Sequence, residues 1–154
     1  MKKILLTSIL LSLISFSASI SAADTNKDSI EFLNSEQHNQ ALPFSEAVRV
    51  GNMLYLSGQI GVDPKTNKLV SGGMEAEAKQ TMDNIKNTLQ KFGYSMSDVV
   101  KCTVMIDEIS KWGDFNKIYV RYFSKPYPAR SAFGADGLGL NSALEVECIA
   151  AKAD

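Results

Sequence analysis

The sequence predicts a two-layer α+β domain, a mixed sheet with two helices packed on one of its faces. Three observations carry that expectation. Apolar residues recur at helical spacing in only two stretches, and the other apolar stretches are short and strand-like, several alternating at period two. The resulting order is strands, helix, strand, helix, strands.

The first 23 residues stand outside this domain. Met1-Lys2-Lys3 is a positive start, Ile4 to Ile20 is apolar with Ser and Thr breaks, and Ser21-Ala22-Ala23 supplies small residues at a cleavage position. That order is the one found in a secretory signal peptide. The run is short and serine-rich for a membrane span, which needs ~20 strongly apolar residues. Cleavage after Ala23 is therefore expected, giving a periplasmic or secreted protein with no stable membrane association. Residues 24–28 are polar and expected to be flexible, and 29–154 form the single domain.

Within the domain, Ser29 to Leu33 reads as a first short strand. Ala47 to Ser57 reads as a hairpin, with Val48 and Val50 flanking Arg49, a turn at Gly51-Asn52, and an apolar return through Met53-Leu54-Tyr55-Leu56. Asp63 to Asn67 is turn chemistry. Met74 to Phe92 is the clearest helix: Ala78, Met82, Ile85, Leu89 and Phe92 draw one stripe, and Gly93 is placed to stop it. Val99 to Ile106 is a β-branched strand. A second helix is expected from about Lys111 to Phe123, with Ser110 as its N-cap and an apolar face of Trp112, Phe115, Ile118, Tyr119, Tyr122 and Phe123. At that spacing the aromatics read as core. Pro126 and Pro128 end the helix, and strands at Arg130–Phe133 and Ala143–Ala151 close the chain.

Composition narrows the function. Removing residues 1–23 takes away Lys2 and Lys3 and leaves 14 basic against 17 acidic side chains, a net charge of about −3. With no basic cluster, nucleic acid is not an expected partner. No CxxC or paired-histidine spacing is present, so no metal is expected. Cys102 and Cys148 sit in separate apolar strands and are expected to be buried free thiols, although an oxidising compartment permits their pairing. His38, the single histidine, reads as an exposed loop residue.

Three places could carry chemistry. Arg130 follows the stiff approach Pro126-Tyr127-Pro128-Ala129 and has apolar neighbours. A guanidinium held at such a boundary suits bidentate carboxylate binding; an internal ion pair with Glu145 or Glu147 explains it equally well. Glu145 and Glu147 alternate with Leu144, Val146 and Cys148, which puts both carboxylates on one face of a strand. That face is either simply solvated or a subunit contact where a carboxylate orients water. Ser57-Gly58 ends an apolar strand, where a glycine admits a ligand close to backbone amides or marks a turn.

Taken together, these segments resemble the RidA (YjgF) family of reactive intermediate deaminases. The matching stretches are PFSEAV (43–48), VGNMLYLSGQI (50–60), Val62-Asp63-Pro64-Lys65-Thr66, Glu75 to Thr81 with Asn84-Ile85-Lys86, DVVKCTV (98–104), PARS (128–131) and LEVECIA (144–150). The likeness covers about Ile30 to Lys152. It implies a chorismate-mutase-like fold, a homotrimer with clefts between subunits, and hydrolysis of 2-imino or enamine acids to 2-oxo acids and ammonia without cofactor or metal. It also implies roles. The substrate carboxylate would be bound by Arg130, and a water oriented by Glu145, 15 positions later. Further substrate contacts would come from Ser57, Gly58, Asn116 and Phe44. Two departures stand out: Phe44 where tyrosine is usual, and Ala132 where many members carry cysteine. The alternative is a non-catalytic trimer of the same fold that binds a small carboxylate or a protein partner.

Overall fold

The computed structural model describes residues 29–36 and 38–153. The expected signal segment and the polar stretch 24–28 lie outside the described residues. The strands are β1 Ile30–Leu33, β2 Ala47–Val50, β3 Met53–Leu56, β4 Val62–Asp63, β5 Lys68–Leu69, β6 Val99–Ile106, β7 Ala129–Gly134 and β8 Leu144–Ala151. The helices are α1 Gly73–Lys91 and α2 Trp112–Tyr119.

Six strands form one sheet in the order β1-β2-β3-β8-β6-β7, and β4-β5 make a small separate hairpin. All neighbours in the large sheet are antiparallel except β6 and β7, whose parallel pairing follows from the α2 crossover. The sheet is therefore mixed, as expected. The hairpin turn forms where the sequence placed it: Val50 faces Met53, and Gly51 takes a positive φ of 57°.

Strand alternation sorts the residues into two faces. Leu54, Leu56, Cys102, Val104, Ile106, Leu144, Val146, Cys148 and Ala150 are buried and share a core with α1 and α2. The α1 stripe of Ala78, Met82, Ile85 and Leu89 is completely buried against it. The other sheet face remains open and carries Ile30, Phe32, Val50, Tyr55 and Phe133, all exposed.

Two expectations are corrected. The second helix ends at Tyr119, not Phe123. Beyond it Arg121 N–H bonds to Ile118 and Tyr122 N–H to Tyr119, the tighter i→i+3 pattern. Tyr122 is turned instead toward α1, donating its hydroxyl hydrogen to Asp83 at 2.8 Å. Nor does Ser110 cap the helix: it lies within a 3-10 turn, Ile109–Lys111, that precedes it.

The cysteines are the second correction. Cys102 and Cys148 are directly opposed on β6 and β8 and form a disulfide, with Cα atoms 4.1 Å apart. Both strands place cysteine in the inward phase of their alternation, and the antiparallel register brings those positions face to face. The phase is set within each strand, but the register is contained in neither strand alone.

Closing a loop of 46 residues removes conformational freedom from the unfolded chain, about 4 kcal/mol on the loop-entropy scale. Replacing both cysteines (Cys102→Ala with Cys148→Ala) should lower stability by roughly 2–4 kcal/mol in denaturant titrations. Dithiothreitol should lower the wild-type midpoint and leave the double variant unmoved. Equal midpoints without reductant would show that the bond does not form.

Candidate functional site

The residues singled out by sequence fall into two clusters on opposite faces of the sheet. Arg130 pairs with Cys102 across the parallel β6–β7 ladder, so it points to the helix side. There its guanidinium carbon lies 4.6 Å from the centre of the Tyr119 ring, 4.8 Å from that of Trp112 and 6.0 Å from that of Phe115. These distances are those of cation–π contacts, which hold a cation without neutralising it. Among the described residues Arg130 makes no ion pair. The internal pairing with Glu145 or Glu147 does not occur, because both carboxylates project from the other face.

The aromatic stripe of α2 thus has a double use. Phe115, Ile118 and Tyr119 are core, as expected, and the rings on the β7 side also cage Arg130. Asn116 lies on the same helix, and its Oδ1 is buried without a hydrogen-bond partner among the described residues. The Tyr119 hydroxyl is likewise buried and unpartnered. Burial pushes its pKa up, and the charge of Arg130 opposes part of that rise.

The second cluster is built where β3 ends against β8. Gln59 and Val146 exchange two backbone hydrogen bonds of 2.9 Å, which brings Gly58 alongside Glu145. The Glu145 carboxylate rests on the Gly58 Cα; a Cβ there would overlap it. Glycine is required for that close approach, independent of its backbone angles. Burial raises the Glu145 pKa, with the like charge of Glu147 as a second, smaller cause. Ser57 donates its hydroxyl hydrogen to the Ser45 carbonyl at 2.6 Å, tying the strand end to the segment before β2.

That segment forms a concavity of about 510 Å³ lined by Phe32, Leu42, Phe44, Val48 and Ser57 among others. Phe44 is half exposed, and His38 packs edge-on to its ring and bonds to its carbonyl at 2.9 Å. His38 is consequently half-buried and structural, not a fully exposed loop residue. Arg130 and Asn116 do not line this concavity. Within one chain, then, Gly58 meets Glu145. Phe44 and its neighbour in the concavity, Ser57, lie beside that contact, although neither Gly58 nor Glu145 lines the concavity. Asn116 lies on the helix whose rings cage Arg130, and Arg130 and Glu145 take opposite faces of the sheet.

What the sequence missed is the cage: Trp112 and Tyr119 stand seven apart, two helical turns, and would face the same strand, but nothing local says that the strand presents an arginine. It also missed the contact of Gly58 with Glu145, which joins segments 87 positions apart.

Comparison with known proteins shows which family and fold the chain resembles. The family model described as Endoribonuclease L-PSP matches residues 35–152. The human 2-iminobutanoate/2-iminopropanoate deaminase is 42% identical over 108 residues, 70% of this chain and 79% of the relative. The chloroplastic Reactive Intermediate Deaminase A of Arabidopsis thaliana is 38% identical over 135 residues, 87% of this chain and 71% of the relative. Among solved structures, RidA from the Antarctic bacterium Psychrobacter sp. PAMC 21119 superposes with a TM-score of 0.74 at 35% identity, covering 79% of this chain and 99% of that one.

The raised Glu145 pKa has a thermodynamic consequence. Below the ordinary glutamate range the group is protonated folded and unfolded, and contributes no penalty; as pH rises through its higher folded value, stability is lost. Glu145→Gln should therefore match wild type near about pH 4 in denaturant titrations and exceed it near about pH 8. A variant less stable than wild type at the higher pH would show that the carboxylate is favoured there.

Proposed function

The chain belongs to the Endoribonuclease L-PSP family, and on that premise we propose that it hydrolyses 2-imino acids and their enamine tautomers to 2-oxo acids and ammonia. The observation that carries the proposal is the state of Arg130. Its charge is held between rings yet has no anion among the described residues to satisfy it, which leaves both prongs for a substrate carboxylate.

In this scheme Arg130 grips the carboxylate and so places the imine carbon beside a water. Glu145, seated on Gly58, orients that water and accepts a proton as its oxygen adds to the C=N bond. That proton passes to nitrogen to complete the tetrahedral carbinolamine, which then collapses: the carboxylate relays the hydroxyl proton to the amine, the C–N bond breaks, ammonia leaves and a C=O bond forms. A raised pKa suits a group that must take up a proton and return it near neutral pH. An imine is already electrophilic, so neither a metal nor a cofactor is needed. Phe44 and Ser57 would contribute walls, Gly58 a close backbone and Asn116 a polar contact.

Because Arg130 and Glu145 lie on opposite faces of one sheet, the scheme requires a second copy of the chain. We propose the homotrimer implied by the family resemblance, each site combining the Arg130 and Asn116 edge of one protomer with the Gly58 and Glu145 face of the next. The open sheet face supports this, since Phe32, Ile30 and Phe133 are at least half exposed there. Export remains part of the proposal and is supported by the disulfide, a bond suited to an oxidising compartment.

The test is to generate 2-iminopropanoate with an amino-acid oxidase and follow its decay with the mature protein. Acceleration is expected, and Arg130→Ala should abolish it. Arg130→Lys should lose roughly 10–100-fold, the worth of one charge-assisted hydrogen bond. Binding of a small carboxylate without acceleration would replace the enzyme by a binding protein, and normal turnover in Arg130→Lys would exclude a two-pronged grip.

A further inference from the structure

Helix α1 packs on the face of the sheet away from Glu145, yet two of its polar side chains hold the chain on either side of the Gly58–Glu145 contact. On the Gly58 side, the Asn84 amide donates to the carbonyls of Ile60 at 3.0 Å and Val62 at 2.9 Å. On the Glu145 side, the Glu77 carboxylate accepts the Ala143 N–H at 2.8 Å, two residues before Glu145. Glu77 is only 8% exposed.

Among the described residues no cation pairs with Glu77, so this buried carboxylate is not part of an ion pair. Its backbone also presses on Gly61: a Cβ there would lie 2.7 Å from the Glu77 Cα and 2.8 Å from its Cβ. One helical residue thus touches both segments that converge at the second cluster. Between these anchors, the paired Gln59–Val146 hydrogen bonds set Gly58 and Glu145 side by side. A buried charge held this way is costly, and removing its partner leaves a polar group unsatisfied.

We propose that Glu77 is a positioning residue, whose hydrogen bond to the Ala143 amide sets the start of β8 so that the Glu145 carboxylate rests on Gly58. The inference rests on Glu145 being the water-orienting group. A purely structural anchor would change stability and nothing else. A positioning residue must also change how Glu145 titrates and how fast bound substrate turns over, because a small displacement moves the carboxylate off its half-dry seat into water.

Three variants of the mature protein test this: Glu77→Ala, Glu77→Gln and Glu77→Asp. The first readout is the titration of the Glu145 side-chain carbon by 13C NMR, its signal assigned by its loss in Glu145→Gln. In Glu77→Ala that titration should shift down towards an ordinary glutamate. With 2-iminopropanoate generated in situ, kcat should fall by about tenfold or more while KM stays within about twofold, since the Arg130 grip is untouched. Glu77→Gln should restore both, because its amide oxygen still accepts the Ala143 N–H. Should Glu77→Ala fail to fold, Glu77→Asp carries the same comparison, its carboxylate being one methylene short. Wild-type titration and turnover in the disrupting variant would overturn the inference, as would a Glu77→Gln variant as impaired as Glu77→Ala. Absence of imine turnover in the wild type would sink the deaminase proposal alone, and the NMR titration would still decide the role of Glu77.

Discussion

The structure depends on the period-two alternation of β8, the strand between β3 and β6 in the large sheet. Its inward residues, Leu144, Val146, Cys148 and Ala150, are buried under the helices and fix the register on both sides. Because the period is two, burying that set obliges Glu145 and Glu147 to face the opposite way. A slip of one residue would bury two carboxylates and expose the core, so the register is strongly specified. The disulfide lies on the same inward rail and locks β8 to β6 in that register.

The same alternation acting on β7 sends Arg130 towards α2 and away from Glu145. Two oppositely charged groups in one small domain are thereby kept from neutralising each other. Half-burial of the arginine without a counter-charge among the described residues is tolerable because the quadrupoles of Trp112 and Tyr119 stabilise the cation. Glu145 meets the complementary condition: it is partly dried by its seat on Gly58 and repelled by Glu147, which makes its proton harder to lose. Each group is held in the state that a small anionic electrophile and a water would use. In the proposed scheme the two halves would meet across a subunit boundary, and activity would then require assembly.

Helix α1 has a role beyond covering the core. Its apolar stripe packs on the sheet, while Asn84 and Glu77, on the flanks of that stripe, hold backbone groups of loops that enter and leave the strands. Such contacts cannot be recognised by hydrophobic pattern, since a glutamate four residues from a threonine looks like any polar flank of a helix.

Much of this protein was legible from the residues in order. The helix over 74–92, the Gly51-Asn52 hairpin and the strands at 99–106 and 144–151 follow from local periodicity and turn chemistry, which act over a few residues and are written contiguously in the chain. The candidacy of Arg130 and Glu145 was legible too, from residue type and family spacing. What only the tertiary structure decided was pairing. Cys102 meets Cys148, the α2 rings meet Arg130, and Gly58 meets Glu145, each across 11 to 87 positions of sequence. The physical reason is that strand alternation tells which face a residue takes, whereas its partner on that face is set by strand order and register, and these are properties of the whole sheet.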